Sequence, residues 1–234
     1  LNEEHHVNEH QNRVELIGTY GGDITHALSA WTSTHRDLTP EKRERIPKLL
    51  ADLAKNEHHS PFEKSAIHLL VTSDIATHIH IIKHRIGVSV NAESARYKEL
   101  KDDKFYVPVD WPEEAKTEFE EKVKELYAWY HTKVETLTDH FSRLHAKELP
   151  IEVVTPEIKK KARSRAKESA RFILPYANQI TQDVMFNFRS FAHFLHLRLD
   201  PHAQREVREL AQGMLDLIKE TGAFEHSLAA FGYK

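Results

Sequence analysis

The chain has 234 residues, 40% of them hydrophobic, enough for a buried core and too apolar for global disorder. Its 33 lysines and arginines against 36 aspartates and glutamates leave a formal charge of −3, so there is no overall basic footprint for nucleic acid and any anion site must be a local cluster. The absence of cysteine excludes disulfides, thiolate metal sites and a cysteine nucleophile.

The polar opening, with His5, His6 and His10, reads as a surface segment. "VELIGTYGGD" reads as a strand entering a glycine turn, and "ITHALSAWTST" as a short helix. Thr39-Pro40-Glu41 combines a hydroxyl cap, a proline at the first position and an acid in the first turn, so a helix is expected from there to about Asn56. "SAIHLLVTS" (65–73) is strand-like, and "IATHIHIIKHR" (75–85) reads as a helix. Asp110 is expected to cap a long helix, with Pro112 at its entry and Phe119, Val123, Leu126, Tyr130, Val134, Leu137, Phe141 and Leu144 as one apolar stripe over residues 110–149. Thr155-Pro156-Glu157 starts the next helix, where Ile158, Ala162, Ala166 and Ala170 form a small-residue face beside a solvated basic one. "ITQDVMFNFR" (180–189) reads as a strand and "SFAHFLHLRL" as a helix. Asp200-Pro201 is expected to start a last long helix that ends near Gly222. These elements make one α+β domain over residues 1–234, helix-rich with a central mixed sheet. No apolar run approaches the roughly 18–20 residues of a membrane span, and no charged-then-apolar leader opens the sequence, so a cytoplasmic protein without membrane or nucleic-acid partners is expected.

Two clusters carry chemistry. On the helix near Arg189, a rotation of about 100° per residue puts Arg189, His193 and His196 on one face. Phe191, Phe194 and Leu195 occupy the other face, with Arg198 among them. A guanidinium on an apolar face needs an anion or acceptor. Its partner is either an internal carboxylate or a bound ligand. His80 and His84 stand four apart, a spacing open to a metal, but no HExxH or matching carboxylate accompanies them, and no metal is expected. No GxGxxG, Walker or GxSxG pattern occurs, so a bound nucleotide must be held by side chains.

"KHRIGVSVNAESARY" (83–97) resembles the signature of the flavin-dependent thymidylate synthases, Arg-His-Arg followed at a set distance by Ser. "HHSPFE" (58–63), "ARFILP" (170–175) and "NFRSFAHFLHLRLDPHAQRE" (187–206) resemble three further blocks of that family, in the same order. The missing cysteine agrees, because this family methylates dUMP without a thiolate nucleophile. The resemblance implies the thymidylate synthase-complementing protein fold and reductive methylation of dUMP to dTMP. It also implies FAD as cofactor, NADPH and methylenetetrahydrofolate as co-substrates, and a homotetramer with sites between subunits. Carried over by motif, the FAD residues are Ser60, Glu63, Lys83, His84, Arg85, Asn187, Arg189 and His193. The dUMP residues are His80, Lys83, Glu93, Ser94, Ala95, Arg96, Arg171 and Arg198, with Arg198 and His58 as the catalytic pair. Departures from the pattern are Lys83 for an arginine, His80 for a glutamine, His193 for an asparagine, and eight residues rather than seven between Arg85 and Ser94, which leaves the role of Glu93 open. A flavin- or nucleotide-binding homologue without catalysis is the alternative.

Overall fold

The computed structural model describes residues 10–94, 103–146 and 154–233; His5, His6, Ala95, Arg96 and any continuation of the long helix past residue 146 lie outside them. The chain divides into two compact units, one of Leu1–Gln11, Asp74–Ala76 and Glu93–Ile180, the other of Asn12–Ser73, Thr77–Ala92 and Thr181–Lys234.

The second unit holds most of the sheet. Strands β1 (Arg13–Tyr20), β2 (Ala66–Asp74), β3 (Val88–Ala92) and β4 (Gln179–Phe186) lie in the order β1-β2-β4-β3. β1 pairs antiparallel with β2 and β3 antiparallel with β4, so antiparallel pairing is found where a mixed sheet was expected. β3 was not foreseen, although Val88, Ser89, Val90 and Asn91 alternate with the strand period. Around the sheet stand α1 (Asp23–Ala30), α2 (Pro40–Lys55), α3 (Ile75–Ile82), α6 (Phe188–Arg198), α7 (Arg205–Glu220) and α8 (Glu225–Ala230). α2 begins where its cap predicts: the Thr39 hydroxyl accepts from the Lys42 N–H at 3.3 Å. α6 is capped by Asn187, whose side-chain oxygen accepts from the Ser190 N–H at 2.9 Å. α7 starts at Arg205 rather than Asp200-Pro201; the Asp200 carboxylate instead accepts from the His202 N–H in a turn. The core is aromatic: Phe62, Phe186, Phe188, Phe191, Phe194 and Phe224 are all fully buried.

In the first unit, α4 (Glu113–His145) packs on α5 (Pro156–Ala170). α4 has Pro112 at its cap position and no side-chain cap, so Asp110 does not take that role. Its buried face is Val123, Tyr127, Tyr130, Val134, Thr138 and Ser142, and Leu144 of the expected stripe is exposed. The two polar members fit because Ala162, Ala166 and Ala170 of α5 are buried and small, and the Thr138 hydroxyl donates to the Val134 carbonyl one turn back at 2.6 Å. α5 starts as expected, with the Thr155 hydroxyl accepting from the Ile158 N–H. His10 is no bare surface residue: its ring packs on Phe105 at 4.5 Å.

Candidate active site

Within the second unit, a cavity of about 580 Å³ opens beside the N-terminal half of α6. That size suits a cofactor or drug-sized ligand. Four residues expected from sequence line it: Glu63, Asn187, Arg189 and His193. The rest of the lining was not foreseen as site residues, among it His59, Gly87, Ser190, His196, Phe231 and Tyr233, although the wheel had already put His196 beside Arg189 and His193. Phe231 and Tyr233 follow α8, a helix that no local signal announced.

Each wall has a local cause. The Ser60–Glu63 segment is a single 3₁₀ turn that buries Pro61 and Phe62 and leaves Glu63 half-buried. The Glu63 carboxylate accepts from Arg189 at 2.6 Å, tying that turn to the start of α6. Both groups are well solvated, so the pair orients the guanidinium more than it stabilises the fold. Gly87 has φ +65°, a left-handed conformation natural to glycine, and a Cβ there would land on the Asn187 amide and the Ser190 hydroxyl. Both are committed: Asn187 caps α6, and the Ser190 hydroxyl donates to the Ile86 carbonyl at 2.6 Å. Gly87→Ala is therefore expected to lower the melting temperature by several degrees and to weaken any ligand of the cavity, read by calorimetry and a binding titration. An alanine variant as stable as the parent contradicts this account of the wall.

Behind this wall lies Arg198. Its Nε donates to His84 Nε2 at 3.1 Å and its Nη2 to the His80 carbonyl at 3.2 Å, with Nη1 3.4 Å from His80 Nδ1. The two readings left open by the sequence separate here, because no carboxylate among the described residues pairs with this guanidinium. His84 is held down to about 4 by burial first, then by Arg198 and His193, so at neutral pH it is an uncharged acceptor. Burial lowers Arg198 as well, without bringing it near neutrality. Its positive charge therefore faces the neutral His84 ring and a backbone carbonyl, with no carboxylate among the described residues to neutralise it. His84 also touches His193, with ring centroids 5.9 Å apart, so it connects Arg198 to the cavity lining.

The other expected residues are placed as follows. α3 ends at Ile82, so His80 and His84 do not share a helical face, and no metal-binding group of side chains occurs among the described residues. His58, Ser60, Lys83 and Arg85 are exposed and are not part of the cavity lining. Glu93, Ser94 and the half-buried Arg171 belong to the first unit, Arg171 opening a 3₁₀ turn after α5.

The family described as thymidylate synthase complementing protein matches residues 15–221. The flavin-dependent thymidylate synthase of Thermosipho melanesiensis is 31% identical over 221 residues, 88% of this chain and 85% of that one. Its counterpart from Pseudothermotoga lettingae is 30% identical over 211 residues, 88% of this chain and 84% of that one. A solved UMP/dUMP methylase, PolB from Streptomyces cacaoi bound with 5-Br dUMP, superposes with a TM-score of 0.71 at 24% identity, covering 94% of each chain.

Proposed function

The chain belongs to the thymidylate synthase complementing protein family, the flavin-dependent thymidylate synthases, and from that premise we propose how its own residues serve the reaction. dUMP, methylenetetrahydrofolate, NADPH and a proton give dTMP, tetrahydrofolate and NADP⁺, with FAD as the cofactor. When bound and reduced, FAD supplies the hydride. The residues present fit such a group: Asn187, Arg189, His193 and Glu63 bring donors and acceptors to one cavity of about 580 Å³.

Arg198 is the residue that carries this reading. A guanidinium held by a neutral imidazole and a backbone carbonyl, with no carboxylate partner among the described residues, stabilises negative charge arriving from a ligand, here on the N3 and O2 side of the uracil as the ring is activated. His84 holds the guanidinium by its Nε and His80 meets both Nη atoms, and each Nη carries a second N–H for a ligand. Arg189, oriented by Glu63, offers charge-assisted donors to the cofactor. By the resemblance, Ser94, Ala95, Arg96 and Arg171 serve the nucleotide phosphate with a hydroxyl, backbone N–H and cationic groups, and His80, Lys83 and His58 serve the same substrate. The resemblance supports the rest of the proposal: one enzyme domain over residues 1–234, a homotetramer with shared sites, and a cytoplasmic location. Among the described residues, no helix is long and apolar enough to cross a membrane.

Protein mixed with FAD, NADPH, dUMP and methylenetetrahydrofolate is expected to form dTMP. Thiol alkylators should leave the rate untouched, since the chain has no cysteine, while stripping FAD should abolish it. FAD and dUMP binding without any dTMP identifies the inactive homologue instead, and full turnover by flavin-free protein refutes the flavin assignment.

A further inference from the structure

The helix α8, which brings Phe231 and Tyr233 to the cavity, lies beyond the span of the family match. At six residues it is too short to hold itself. What holds it is α1. The Asp23 carboxylate accepts from the His226 N–H at 2.7 Å, the Ser227 N–H at 2.8 Å and the Ser227 hydroxyl at 2.5 Å, capping α8 from another element. The Asp23 N–H donates to the Ala223 carbonyl at 2.9 Å, and the backbones meet so closely that a Cβ on Gly22 would strike that carbonyl.

The contact continues inward. Ser227 Oγ is 2.9 Å from His26 Nδ1, and His26 Nε2 is 2.9 Å from Ser65 Oγ. The protons can be assigned by following the chain. The Ser227 hydroxyl gives its proton to Asp23, so it must accept from His26 Nδ1–H; Nε2 is then bare and accepts from Ser65. Every donor runs one way, and His26 is neutral. Burial holds it down to about 4, which agrees. Ser65 lies just past the turn that carries Glu63, and the His26 ring packs against Phe62, Phe188 and Phe224. One hydrogen-bonded chain thus joins the two walls of the cavity: the Glu63 turn and α8. At the far end of α8, Phe231 packs on Phe62 and on His59, and the Tyr233 hydroxyl donates to the Ala192 carbonyl at 3.3 Å.

We propose that Phe231 and Tyr233 are flavin-contacting residues, and that Asp23 and His26 are positioning residues that latch α8 to the Glu63 turn and so set the width of the flavin cavity. This rests on the reading that the flavin occupies that cavity.

The test is a titration of flavin-free protein with FAD, followed by flavin fluorescence and anisotropy at a temperature where circular dichroism shows each variant folded. Tyr233→Ala and Phe231→Ala are expected to raise the FAD dissociation constant about three- to tenfold each, the range that loss of one aromatic contact gives. His26→Leu fills the space without hydrogen bonds and should loosen FAD to a similar degree, with lower anisotropy of the bound flavin. His26→Gln keeps a donor for Ser227 and an acceptor for Ser65, and should restore binding to within about twofold of the parent. Arg189→Ala reports on the cavity itself. If it weakens FAD while Tyr233→Ala, Phe231→Ala and His26→Leu bind like the parent, the latch is refuted and the flavin cavity stands. If Arg189→Ala also has no effect, the flavin lies elsewhere and both fall. Equal weakening by His26→Leu and His26→Gln refutes the hydrogen-bonded latch and leaves only packing.

Discussion

Arg198→Ala is expected to lower dTMP turnover at saturating dUMP by about 10²–10³-fold, the cost of removing one donor aimed at developing charge. The guanidinium meets two histidines and a backbone carbonyl and no carboxylate among the described residues, so its removal strands no buried anion. Its former partners, His84 and His80, are partly exposed and can turn to water. The fold should therefore suffer far less than the chemistry, and FAD should stay bound. Turnover and KM for dUMP, flavin content and a thermal melt on one preparation separate these effects. A variant that melts early while its folded fraction turns over at the parental rate shows that Arg198 serves packing alone. Arg198→Lys keeps the charge and loses the fork, so it is expected to fall between the parent and alanine.

The second large effect is a loss of stability in acid, centred on His26. Its folded-state value is about 4, against an ordinary 6.5, because burial penalises the imidazolium. As pH falls, the unfolded chain takes up this proton first. The stabilisation is therefore complete above about pH 6.5 and drains away as pH falls toward 4. Each pH unit in that window is worth about 1.4 kcal/mol for one such group, so His26 alone contributes on the order of 3 kcal/mol. His84 acts in the same direction and is half-buried, so it adds to the slope more weakly. Urea unfolding at stepped pH values measures the slope directly. His26→Gln has no proton to gain and should flatten it. If parent and variant lose stability in parallel from pH 6.5 to 4, the assignment of the buried neutral imidazole is wrong.

The starts of α2 and α5 were legible because a hydroxyl cap, a proline and an acid act within a single turn. The same short range governs α6, where a spacing of three and four residues is enough to separate Phe191, Phe194 and Leu195 from Arg189, His193 and His196. Its burial also placed Arg198 among apolar neighbours, which is why the sequence could pose the question of a partner. It could not answer that question. His84 is 114 residues from Arg198, and only the folded chain decides that a neutral imidazole rather than a carboxylate meets the guanidinium. α7 was started too early because Asp200-Pro201 is a good local start, yet the Asp200 carboxylate is taken by the His202 N–H in a turn. α8 was missed because its cap comes from another helix: Asp23 stands 204 residues from Ser227 in the chain and 2.8 Å from its N–H in space. Local capping and helical periodicity are properties of one turn, and a sequence displays them. The cavity walls depend on hydrogen bonds and ring contacts between elements, and those exist only once burial has removed water as the competing partner.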